Sequence, residues 1–158
     1  MIVKPKRLVN PYEERMLEFL QTCVEVNYKI HTQVSLCQFC ELNNNLELEL
    51  RKFFFSSSVD ALITDYDYKP CLVVDFQSSY HNSVEAKERD RKKATLLSFA
   101  NIPLLYSQLK EFGLLHLYSK DEEVVFNLFT GEQRENAKAL IRKYCEQSAC
   151  SEVKVLAC

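Results

Sequence analysis

The sequence predicts an α/β protein, on three observations. Two short apolar runs, 59–63 and 71–74, flank a polar turn of Asp, Tyr, Lys and Pro at 65–70, the pattern of a β-hairpin. A charged helical segment from about Val84 to Ala100 leads into another apolar run at 101–106. Strand, helix and strand in that order suggest a right-handed parallel crossover. Apolar stripes at helical spacing near both ends of the chain supply helices to flank the strands. The 158 residues amount to about one domain and can bury one sizeable core, so 1–158 is expected to form a single unit.

Taken in order, residues 1–9 are basic and mixed and read as an extended arm. Asn10-Pro11-Tyr12-Glu13 is a helix start, with Asn as N-cap, Pro at the first helical position and Glu at the capping-box position. That helix runs to about Cys23 on a stripe of Met16, Leu17, Leu20 and Val24. Glu14 sits at the edge of this stripe, and the local pattern explains it as a first-turn acid favoured by the helix dipole. Residues 28–34 alternate and read as a strand, with His31 half-buried on it. A short helix or turn follows over 35–42, then an asparagine loop at 43–45. Residues 46–55 alternate at first and then become aromatic, so strand and helix are tied there. Core packing explains Phe53, Phe54 and Phe55 better than base stacking does. Ser56-Ser57-Ser58 is a hinge into the hairpin.

Beyond the hairpin, Asn82 and Ser83 can cap the 84–100 helix, whose Ala86, Asp90, Lys93, Ala94 and Leu97 fall near one face. Residues 107–117 look helical or irregular around Gly113. Residues 121–150 read as two helices split at Thr130-Gly131, the second with a stripe of Ala137, Leu140, Ile141 and Tyr144. The tail at 151–158 reads as frayed or as an added edge strand.

Composition excludes several classes of function. Hydrophobic residues make up 47% and charged residues 27%, which describes an ordinary globular chain rather than a disordered one. A net charge of −2 excludes a strongly basic surface overall, though not locally. The two glycines, Gly113 and Gly131, are too few and too isolated for a P-loop or a dinucleotide-binding fingerprint. The N-terminal residues carry no apolar stretch of the secretory kind, and no run is long enough to span a bilayer, so a cytoplasmic protein with reduced thiols and no membrane partner is expected. Cys37 and Cys40 form a C-x-x-C, but zinc would want a second such pair, and the expectation is two buried small hydrophobes.

The chemistry concentrates between Val59 and Lys93. Asp60 opens one strand of the hairpin and Asp75 closes its partner, so the two carboxylates can converge. Two carboxylates aimed at one point repel each other and persist mainly where a cation or a shared proton compensates. Phosphodiester hydrolysis needs such a set: Asp60 and Asp75 as oxygen ligands for a divalent cation, and a lysine, Lys93, to offset charge developing on phosphate. Gln77, two residues after Asp75, points to the same side of the strand and can offer its carbonyl oxygen to a metal or orient a water. His81 is a candidate base or phosphate contact. Between Glu85 and Lys93 five basic residues outnumber three acids. Arg89 and Lys92 can therefore contact phosphate, although intrahelical ion pairing explains the pattern equally well.

These residues resemble a known group. The sequence is similar to the PD-(D/E)XK, or restriction-endonuclease-like, superfamily, and within it to a bacterial family of uncharacterised nuclease-like domains. The resemblance is carried by Glu14-Leu17-Leu20, Gln33-Val34-Ser35-Leu36, Val59-Asp60-Ala61, the Val74–His81 stretch, Arg89-Asp90-Arg91-Lys92-Lys93 and Asn101-Ile102-Pro103-Leu104-Leu105. It covers roughly residues 12–106, leaving 107–150 as a helical extension. It implies a mixed central sheet flanked by helices and a magnesium- or manganese-dependent nuclease acting on nucleic acid, DNA first, with a homodimer left open. Carried over by position, Asp60 and Asp75 are the metal acids, Glu14 is the helix acid, Gln77 stands where the superfamily has Lys, and Lys93 is that lysine displaced onto the helix. Asp75 is one methylene shorter than the usual Glu, and a neutral Gln77 lowers ligand charge. A nuclease-like module without catalysis is therefore the alternative.

Overall fold

The computed structural model describes residues 3–24, 26–43, 45–77 and 83–156. Its frame is a six-stranded mixed sheet in sequential order, β1 (Tyr28–Ser35), β2 (Ser58–Asp65), β3 (Pro70–Gln77), β4 (Leu104–Leu109), β5 (Leu114–Tyr118) and β6 (Glu123–Asn127). Every neighbouring pair is antiparallel except β3 with β4. That one parallel pair is joined by α4 (Val84–Phe99), as the crossover pattern predicts.

Helices cover both faces of the sheet. On one lie α1 (Pro11–Cys23) and α5 (Glu132–Leu156), which bury Met16, Phe19, Leu20, Ala137 and Ile141 against Ala61, Ile63, Leu72 and Val74. On the other, α2 (Leu36–Phe39), α3 (Leu48–Ser56) and α4 close over Val59, Leu62 and Val73. Over Ala61–Ile63 and Leu72–Val74 successive residues thus enter the two cores in turn. This explains why both strands read as near-continuous apolar runs. α1 begins as expected: Glu13 N–H donates to Asn10 Oδ1 at 2.8 Å, and Asn10 N–H donates back to Glu13 Oε2 at 2.9 Å.

Several elements differ from the sequence reading. The tie at 46–55 resolves as helix from Leu48 onward, because Leu50, Phe53 and Phe54 share one side and pack on the second core. Residues 107–117 hold the end of β4, a short 3-10 turn at Glu111–Gly113 and β5, rather than a helical or irregular stretch. Phe112 and Gly113 both take positive φ, 61° and 71°, which reverses the chain tightly enough to pair β5 with β4. Glu123–Asn127 is a strand and not the first of two helices, and the helix from Glu132 continues to Leu156, where a frayed tail or an edge strand is expected. Cys40 is partly buried but Cys37 is exposed, which corrects the expectation that both are buried. Among the described residues no helix is long and apolar enough to cross a membrane.

Candidate active site

The turn that closes the β2–β3 hairpin fixes where the acids fall. Asp65 Oδ1 accepts from the N–H groups of Asp67 and Lys69, both at 2.9 Å, holding the reversal that sets the register. With Ala61 opposite Val74 and Leu62 opposite Val73, the next residues outward, Asp60 and Asp75, come close together on neighbouring strands. A one-residue slip of β2 against β3 would turn Asp60 away and part it from Asp75.

The two carboxyl groups interlock with each other's backbone. Asp60 N–H donates to Asp75 Oδ1 at 3.1 Å, and Phe76 N–H donates to Asp60 Oδ2 at 2.8 Å. Gln33 Nε2, from β1, donates to Asp60 Oδ1 at 3.2 Å. Asp75 is only 2% exposed, on a strand with neighbours on both sides. Its other oxygen, Oδ2, is bonded by Lys93 Nζ at 2.5 Å. Lys93 reaches it from α4, so the helical lysine does meet the strand acid. Gln77 is 7% exposed and lies beside Asp75 on the same side of β3.

These groups floor a cleft of about 620 Å³. One wall is the start of α1, with Asn10, Tyr12 and Glu13. A second is the end of α3 and the serine hinge, from Phe53 to Ser58. The third is α4, with Arg89, Asp90 and Lys93. Tyr12 is held in place by a 2.8 Å hydrogen bond between its hydroxyl and Ser107 Oγ and by an edge contact with Phe76. Burial pushes its hydroxyl pKa up to about 12.

Electrostatics mark the cleft as a site. Burial first, and the adjacent Asp75 second, push the Asp60 carboxyl from its ordinary 3.8 up to about 6, while the Phe76 N–H and Lys93 act the other way. Tyr106, on β4, is raised by burial and then by Asp90 and Asp75. Four carboxyl side chains, Glu13, Asp60, Asp75 and Asp90, line the cleft against two cations, Arg89 and Lys93. An acidic excess of this kind accepts a cation before it accepts a phosphate.

The structure therefore brings Asp60, Asp75, Gln77, Lys93 and Arg89 to one place. It does not bring Glu14 there: Glu14 pairs with Arg7 of the N-terminal arm, and the helix acid on the cleft is its neighbour Glu13. Lys92 sits 6.0 Å from the centre of the Phe53 ring and does not line the cleft. His81 lies outside the described residues. Phe54 is the core residue of the aromatic run, whereas Phe53 lines the cleft and Phe55 is exposed. Asp90 and Tyr12 were not singled out as site residues from the sequence. The signal for Asp90 was present, since it precedes Lys93 by one helical turn. Nothing in the pattern set Tyr12 apart from any other first-turn residue.

Among the described residues no three His, Cys, Asp or Glu side chains converge as metal ligands. Two carboxylates with an amide nonetheless suit magnesium, which keeps several waters and is commonly held by one or two carboxylates plus substrate phosphate. A family model described as "Protein of unknown function (DUF2726)" matches residues 5–120. No curated protein and no solved structure matches the chain.

Proposed function

The chain belongs to the DUF2726 family of proteins of unknown function, and we propose that it is a metal-dependent nuclease of the PD-(D/E)XK kind, hydrolysing phosphodiester bonds in DNA. The observation that carries this is the meeting of Asp60 and Asp75 on adjacent strands of one cleft, with Lys93 bonded to Asp75. Asp60 and Asp75 would hold magnesium or manganese, with the Gln77 carbonyl oxygen beside them. A cation there would polarise a phosphoryl oxygen and lower the pKa of a bound water.

The chain's own groups have separate tasks. The Phe76 N–H and the Gln33 amide fix the Asp60 carboxylate. Lys93 bonds Asp75 in a nearly sealed position and stands where negative charge would build on phosphate. Arg89, exposed along the α4 wall, offers a planar fork to a neighbouring phosphate. A cytoplasmic setting, where thiols stay reduced, is part of this reading.

The test is incubation with single- and double-stranded DNA in magnesium or manganese. Wild type should cleave, and Asp60→Asn and Asp75→Asn should each abolish cleavage; activity that survives both substitutions would belong to something other than this site. One observation favours a second reading, a nuclease-like module that binds nucleic acid or a protein without cutting. Gln77 puts a neutral amide where the superfamily has lysine, which leaves the cleft with one charged donor fewer. Calorimetric titration separates the two, because a module without catalysis would bind no cation at millimolar concentration.

A further inference from the structure

β1 contains a kink that regular pairing does not call for. Gln33 takes φ of 52°, in the left-handed region that non-glycine residues rarely adopt. No turn or helix end lies there: Thr32 pairs with Ala61 and Val34 with Val59, in the same register on both sides, so the kink inserts no extra residue. Gln33 itself is exposed, and the kink turns the strand pair over: Ile30 and Ala61 pack in the first core, whereas Val34 and Val59 pack in the second. A second consequence is the direction of the side chain, whose Nε2 reaches Asp60 Oδ1 at 3.2 Å.

We propose that Gln33 is the positioning residue for Asp60, its left-handed backbone aiming the amide N–H so that the carboxylate is held facing the cleft. The same kink that carries the strand pair from one core to the other leaves the Gln33 amide against Asp60. With the Phe76 N–H on Oδ2 and the Gln33 amide on Oδ1, both carboxylate oxygens are fixed before any ligand arrives. The spare lone pairs then point into the cleft instead of turning toward solvent. This assignment rests on Asp60 being a cation ligand.

Two substitutions separate positioning from mere structure. Gln33→Gly removes the amide and relieves the backbone, while Gln33→Met keeps length and strain but removes the donor. The readout is manganese affinity of the intact chain by calorimetry, with thermal melting alongside. We expect Gln33→Gly to melt at or above the wild-type temperature. Both variants should bind manganese about three- to tenfold more weakly, the loss expected for one exposed hydrogen bond to a charged group. Wild-type affinity in both variants, beside a wild type that binds, overturns the role of Gln33 and leaves the metal site standing. A wild type that binds no manganese overturns the metal site, and the role of Gln33 with it. Should the glycine variant fail to fold, the methionine variant decides alone.

Discussion

Replacing Asp60 by asparagine should stabilise the protein at neutral pH even as it destroys the cation site. Asp60 is raised from 3.8 to about 6 by burial and by Asp75, so the folded state holds its proton more tightly than the unfolded chain does. Below about pH 4 the group is protonated in both states and costs nothing. As pH rises through about 6, the folded protein must carry the charge beside Asp75, and that part of its stability is lost. The shift corresponds to about 3 kcal/mol over the whole window, of which about half falls between pH 5 and pH 8. Asparagine keeps an oxygen to accept from the Phe76 N–H, loses the bond from Gln33 because its NH2 stands in place of Oδ1, and never ionises, so the variant escapes the pH-dependent penalty. Urea unfolding of both proteins at about pH 5 and pH 8 measures it. The advantage of Asp60→Asn over wild type should grow with pH by about 1 to 2 kcal/mol. Manganese should narrow the gap at the higher pH, by about 1.4 kcal/mol at ten times its dissociation constant, because it binds only the wild-type fold. An advantage that does not change with pH would show that Asp60 is not held ionised against its surroundings, and the electrostatic case for a cation there would fail.

Lys93→Met leaves Asp75 buried without its cation, and should cost about 3 kcal/mol at neutral pH in thermal or urea unfolding. A loss under about 0.5 kcal/mol, the scale of an exposed ion pair, would mean that Asp75 is far less enclosed than its contacts indicate. Asn10→Ala breaks the capping box that sets the start of α1 beside the cleft, and should cost about 1 kcal/mol of stability. Burial pushes the Cys23 and Cys145 thiols up to about 12, whereas Cys37 is exposed. Peptide-mapped alkylation of the native protein should therefore label Cys37 and leave Cys23 and Cys145 untouched until denaturant is added.

The hairpin was legible because its signals are local. The Asp65–Pro70 turn residues, the apolar runs on either side and the acids at their outer ends together specify two paired strands with Asp60 beside Asp75. The crossover through α4 and the capping box of α1 were legible for the same reason. What escaped depends on partners far along the chain. β5 and β6 are short and mixed in composition, and Glu122, Glu123 and Asn127 gave their stretch a helical look. Leu115, Leu117 and Phe126 become strand residues only by packing under α5. Choosing Glu14 over Glu13 was a matter of helical phase: neighbours on a helix point about 100° apart, and the cap decides which of them faces the cleft. The kink at Gln33 has no sequence signal at all, since glutamine is not a residue that favours left-handed backbone.

Diffraction from crystals soaked in manganese, recorded where manganese scatters anomalously, tests the cation site most directly. One anomalous peak should appear within coordination distance of carboxylate oxygens from both Asp60 and Asp75, and it should vanish in Asp60→Asn. No peak in the cleft at millimolar manganese, with Lys93 still bonded to Asp75, would contradict the nuclease proposal and leave the paired acids as a structural lock between β2 and β3.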